Sequence, residues 1–182
     1  MRWKNGAGQT SEIAIHPPEA QFSNGDFDWR ISSAQVEQDS DFSIFPGCNR
    51  LLVLIGKNAV DLNGKRVLPW VPVQFAGETM ISCQVINEGT LDLGVIFQRD
   101  RFVASMTVNQ LPTGAKGKLH PANSPETRRF LFCARGHLIF SNFKLGTFDT
   151  LCPQGNFYEE FTCEQDSTFI QISIEPRSAP IT

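Results

Sequence analysis

The residues best suited to chemistry lie at the amino terminus. Met1-Arg-Trp-Lys-Asn-Gly-Ala-Gly-Gln-Thr-Ser-Glu-Ile13 gathers an indole, an ammonium, an amide, a hydroxyl and a carboxylate around a bend flanked by glycines. Glycine lets backbone approach another group closely, so the mixture suits gripping a small polar molecule. Two further cations stand out. Arg30 follows Trp29 directly, and Arg50 precedes the most apolar run of the chain, Leu51 to Ile55. A guanidinium on a strand that enters a core must be paired or face a lined cavity. Its planar fork matches a carboxylate. Arg30 has internal alternatives: an exposed strand face, or an ion pair with Glu12 or Asp92.

Other chemistries find little support. His16, His120 and His137 are far apart, with no His-x-His or His-x-x-x-His pair, so neither a bound metal nor another cofactor is expected. No Gly-x-Ser-x-Gly marks a nucleophile. Gly6-Ala7-Gly8 is too short for a phosphate loop and lacks the Lys-Ser/Thr ending. The five cysteines, Cys48, Cys83, Cys133, Cys152 and Cys163, include no Cys-x-x-Cys. Cys83, Cys133 and Cys163 fall in strand-like runs and read as small buried hydrophobes of a reducing compartment, which makes cytoplasm the expected location.

The elements that must position these groups read as short strands. Across Asp28–Ala34, alternation places Trp29, Ile31 and Ser33 on one face and Arg30, Ser32 and Ala34 on the other. Phe42–Phe45 reads as a strand entering the turn Pro46-Gly47, and His16 as a loop residue before Pro17-Pro18. Asn63-Gly64, between Ala59–Leu62 and Arg66–Leu68, is the strongest hairpin signal. Val71–Phe75, Met80–Ile86 and Asp92–Phe97 continue the pattern. The polar stretch Asn109–Thr127 reads as a linker or long loop. Beyond it, Arg129-Phe-Leu-Phe-Cys133 echoes Arg50-Leu-Leu-Val-Leu54, and each run soon meets a glycine, Gly136 or Gly56. Phe169–Ile174 closes the chain. The echo implies a duplication with a period near 80 residues, hence two similar β-barrels.

Composition agrees. The chain has 182 residues, 15 of them Phe, with 25 Pro and Gly between them and a net charge of −3. Aromatics and turn formers favour β-structure. The charge and the absence of a basic block argue against nucleic acid. No run is long enough to span a membrane as a helix, and no signal peptide is evident.

Three blocks, Trp3-Lys4-Asn5-Gly6-Ala7-Gly8-Gln9-Thr10-Ser11-Glu12-Ile13, Phe27-Asp28-Trp29-Arg30-Ile31-Ser32 and Phe42-Ser43-Ile44-Phe45-Pro46-Gly47-Cys48-Asn49-Arg50, together resemble the ordered motifs of the HutD/Ves family. Gly89–Val95 is similar to a degraded fourth block. The resemblance implies an all-β double cupin: two stacked jelly-roll barrels of the RmlC-like type, with a first barrel over residues 1–108 and a linker and second barrel over 109–182. It implies a bacterial cytoplasmic protein that binds a small carboxylate of histidine utilisation, such as formylglutamate or urocanate, in a regulatory role. The matching pocket positions are Trp3, Lys4, Asn5, Thr10, Glu12, Arg30, Ser32 and Arg50. Family members usually carry Asn where this chain has Gly94, so that side-chain contact is expected to be lost. They also usually have residues before the first block, often a first strand, so the expectation here is either that the start is assigned late or that this strand is missing.

Three functions follow as expectations. In the leading one, a metal-free bicupin binds a carboxylate: Arg30 and Arg50 hold it, Lys4 adds charge, Asn5 and Thr10 hydrogen-bond, and Trp3 or Trp29 supplies an apolar wall. In the second, the protein is a metal-free isomerase or hydrolase with Glu12 as general base and Lys4 as electrostatic stabiliser. In the third, it is a scaffold whose phenylalanines leave an apolar patch for a partner or for a homodimer.

Overall fold

The computed structural model describes residues 8–120, 122, 124–153 and 158–177. The chain divides into two compact units, Met1–Phe102 and Val103–Thr182.

The first unit contains β1 (Gly8–His16), β2 (Trp29–Val36), β3 (Ser40–Asp41), β4 (Cys48–Leu54), β5 (Val60–Leu62), β6 (Lys65–Val67), β7 (Val73–Ala76), β8 (Ser82–Val85) and β9 (Thr90–Gln98). A five-stranded sheet runs β1-β2-β9-β4-β7, and a four-stranded sheet runs β3-β8-β5-β6. The pairs along both sheets are antiparallel. Between them, Val36, Leu52, Leu54, Val60, Leu62, Val67, Ile81 and Cys83 form a buried core. Inward residues alternate with outward ones, as a sheet buried on one face requires. The β5–β6 hairpin turns at Asn63 and Gly64, whose φ values of 53° and 80° give the two-residue turn that the Asn-Gly pair favours.

The second unit contains β10 (Phe102–Leu111), β11 (Lys116–Leu119), β12 (Arg128–Arg135), β13 (Leu138–Ile139), β14 (Lys144–Leu145), β15 (Thr150–Leu151), β16 (Glu159–Cys163) and β17 (Ser167–Pro176). Its sheets run β10-β17-β12-β15 and β11-β16-β13-β14. Leu119, Leu131, Cys133, Leu138, Phe140, Leu145, Phe161, Cys163 and Phe169 form its core. Adding eight to each strand of β2-β9-β4-β7 and β3-β8-β5-β6 reproduces these two orders. The units therefore repeat one topology, with β1 as an addition to the first.

Three local readings are corrected. The stretch read as a loop, 109–127, holds the end of β10 and all of β11. Both are edge strands, and their exposed positions carry Thr107, Gln110, Lys116 and Lys118, the polar content expected of protected edges. Only Ser40–Asp41 is strand near Phe42–Phe45. Phe42 and Phe45 both turn to Arg50, and a spacing of three does not fit a strand's period of two. His16, read as a loop residue, ends β1.

Candidate anion site in the first unit

The register of the five-stranded sheet puts chemistry on its inner face. Ile15, Arg30, Ile96, Arg50 and Phe75 lie side by side across β1, β2, β9, β4 and β7. The next row is Glu12, Ser32, Gly94, Leu52 and Val73, and the one after is Thr10, Ala34, Asp92 and Leu54. Leu52, Leu54, Val73 and Phe75 belong to or pack on the core between the sheets, so these rows face inward. Arg30 and Arg50 flank Ile96 from opposite sides, roughly 10 Å apart at the backbone given the usual strand spacing. One row along the sheet, Gly94 leaves the position between Ser32 and Leu52 without a side chain. A Cβ there would meet no atom nearer than 3.8 Å.

Arg30 is 6% exposed and its bonds are internal. Its Nε donates to Glu12 Oε2 at 2.7 Å, a terminal nitrogen donates to Ser32 Oγ at 3.1 Å, and the guanidinium lies 4.0 Å from the Phe22 ring centre. Of the two carboxylates weighed for it, Glu12 is the partner. A β-bulge between Glu12 and Ala14 lets Glu12 stand beside Ser32 while Ile15 pairs with Arg30.

Arg50 is arranged differently. It donates to the Ser43 carbonyl at 3.1 Å and sits among Phe42, Phe45 and Phe75, at 4.8, 5.6 and 5.3 Å from their ring centres. Among the described residues no carboxylate comes within ion-pair distance of it. Burial lowers its pKa to about 10, with the field of Asp92 acting the other way, so it stays charged at neutral pH. Asp92 is the buried counter-group. One carboxylate oxygen accepts the Ala34 N–H at 3.1 Å. Burial raises its pKa to about 7, against the lowering effects of that hydrogen bond and of Arg50.

The structure thus brings Thr10, Glu12, Arg30, Ser32 and Arg50 to one face. Trp3, Lys4 and Asn5 lie outside the described residues. Trp29 does not join the wall: it is on the opposite face from Arg30 and stacks on His16, ring centres 5.4 Å apart. Phe22, Phe42, Phe45 and Phe75 provide the apolar surface instead. Sequence reasoning weighed Asp92 only as an alternative partner for Arg30. Its position two residues before Gly94, on the same strand face, was the available signal. Chemically, among the described residues the arrangement offers a guanidinium with no carboxylate at ion-pair distance, a hydroxyl on the same face, an aromatic surround and a carboxyl with a pKa raised to about 7. Among the described residues no group of three or more His, Cys, Asp or Glu could hold a metal ion, and no helix is long and apolar enough to cross a membrane.

Comparison with known proteins supplies a family and a fold. A family model described as HutD matches residues 1–170. The chain is 34% identical over 113 residues to protein Ves of Citrobacter koseri, covering 58% of this chain and 56% of Ves. It therefore spans little more than half the length of that relative. It is 28% identical over 166 residues to an uncharacterized 21.2 kDa protein in the hutC 3′ region of Pseudomonas putida, covering 86% and 82%. Among solved structures, HutD from Pseudomonas fluorescens in a formate condition superposes with a TM-score of 0.74 at 25% identity, covering 98% of this chain and 94% of that one. A cupin 2 conserved barrel domain protein from Leptotrichia buccalis superposes with a TM-score of 0.56 at 12% identity, covering 97% and 92%, a likeness of fold alone. Two antiparallel barrels of repeated topology with cupin neighbours are the double cupin that the motifs implied.

Proposed function

The chain belongs to the HutD family, and from that premise we propose that its first unit binds a small carboxylate-bearing metabolite and thereby moderates a catabolic pathway, histidine utilisation. The observation that carries the reading is Arg50: a half-buried guanidinium among three rings, bonded to a carbonyl while Arg30 already has Glu12. A buried cation is stabilised by an anion that shares its low-dielectric surroundings. On the same inner face Gly94 carries no side chain between Ser32 and Leu52, and Ser32 adds a hydroxyl. The hutC-region relative supports the pathway. Formylglutamate and urocanate are the ligands to try first. Calorimetry should give saturable binding for at least one of these or a simple dicarboxylate, weakened roughly tenfold or more by Arg50→Ala, as loss of a charge-assisted bond pair implies. No heat from any of them, or unchanged binding in Arg50→Ala, sinks the proposal.

One observation favours a second reading, a metal-free isomerase or hydrolase. Asp92, with a pKa of about 7, is tuned for proton transfer near neutral pH. Glu12 is half-exposed and bonded to Arg30, so the base in this reading is Asp92. Proton NMR of a bound carboxylate over hours would show turnover that Asp92→Asn abolishes, and an unchanged spectrum removes the reading.

A further inference from the structure

The repeated topology gives Arg50 a counterpart. β12 corresponds to β4 and β17 to β9 by strand order. Within them, Arg129 opens the run Phe130–Cys133 as Arg50 opens Leu51–Leu54. Arg50 stands opposite Ile96, and Arg129 opposite Ser173. Both arginines share a strand face with core residues two positions on: Leu52 in the first unit, Leu131 in the second. In the second unit this face changes character along the barrel. Cys133 and Phe169 are paired and buried, then Leu131 meets Gln171, then Arg129 meets Ser173.

A cavity of about 310 Å³ lies at that polar end, entirely within the second unit. Leu119 and Leu131 from the core make its apolar floor. Ser105 and Thr107 of β10, and Gln171, Ser173 and Glu175 of β17, line one side together with Arg129, while Lys118 and His120 face them from β11 and just beyond it. A few convergent polar groups over an apolar floor are what small-molecule sites share. Arg129 is held by a bond from one terminal nitrogen to the His120 carbonyl at 3.2 Å. Lys118 is engaged by Glu160 at 2.8 Å, and Glu175 accepts the Ser173 hydroxyl at 2.9 Å.

We propose that the second unit carries its own small-molecule site at this cavity, with Arg129 as the anchor for a monocarboxylate whose remaining groups are hydroxyls. The single carboxylate follows from the lining charge: of the two lining cations Lys118 is engaged by Glu160 and Arg129 is the guanidinium, while Glu175 repels a second anion. The hydroxyls follow from Ser105, Thr107, Gln171 and Ser173, which donate and accept but carry no charge. The site stands whether or not the first unit binds a carboxylate.

The test is amide NMR on the full chain, titrated with threonate as the hydroxylated monocarboxylate and acetate as the bare one. Threonate should shift the amides of Leu131, Gln171 and Ser173 saturably and bind more tightly than acetate. Arg129→Gln should weaken it roughly tenfold. Should Arg129→Gln fail to fold, Thr107→Val, an exposed edge-strand change, should still reduce the preference for threonate over acetate. Absence of saturable shifts with threonate, shifts that persist unchanged in Arg129→Gln, or equal affinity for the two acids overturns the proposal. Failure of the first-unit reading would appear elsewhere, as a lack of dicarboxylate-induced shifts around Ser32 and Gly94.

Discussion

Asp92 is the residue whose protonation the fold alters most usefully. Its ordinary pKa of 3.8 is raised to about 7 by burial. Between those values the folded protein keeps a proton that the unfolded chain has released. The contribution to stability is therefore full below about 4 and is lost as pH rises through about 7, by at most about 1.4 kcal/mol per pH unit. Urea midpoints should fall across that window in the wild type, and Asp92→Asn should flatten this part of the profile. A variant with the wild-type slope would show that another group is responsible. The same carboxyl shares the inner face with Arg30 of β2, Arg50 of β4 and Glu12 of β1, and its field reaches Cys83 of β8. Once ionised it opposes an incoming anion, so carboxylate affinity in the first unit should be higher at pH 6 than at pH 8. Asp92→Asn should bind equally at both. None of this was legible in sequence, because a pKa depends on how much water and which charges surround a group, and those come from four strands.

At the scale of elements, alternation was readable and its partners were not. The split of Trp29 from Arg30 and Ser32 follows from the strand period, and the Asn63-Gly64 hairpin from the positive φ that its turn demands. Edge strands escaped, because β10 and β11 carry the polar residues of a loop. β11 also shows close packing that only pairing creates. Gly117 stands opposite Phe161 in register, and a Cβ at Gly117 would lie 2.2 Å from that ring's Cζ. Phe161 is 2% exposed and packs on Phe140 and Phe169, so the ring has little room to retreat. Gly117→Ala should destabilise the protein by about 1–3 kcal/mol, the usual cost of overpacking, measured by thermal or urea unfolding. A neutral result would mean that the aromatic cluster is looser than its packing suggests.

At the scale of the whole molecule, the thiols report on burial. Cys48, Cys83, Cys133 and Cys163 are buried, and Cys152 is half-buried. Burial pushes Cys83 up to about 12 and Cys133 to about 11, and raises Cys48 and Cys163 as well. A thiolate is the reactive form. A chromogenic thiol reagent should therefore modify one cysteine quickly in native protein and the remaining four only with denaturant; several fast thiols would contradict the packing. The all-β class, the duplicated barrel and the family were all determined by the sequence alone, because turn residues, strand alternation and ordered motifs are local and survive without coordinates. Tertiary structure alone decided that Glu12 rather than Asp92 pairs with Arg30, that phenylalanines rather than Trp29 surround Arg50, and that Arg129 opens onto a cavity. Each of those depends on register between strands distant in sequence, which sets the face, the neighbours and the water around a charge.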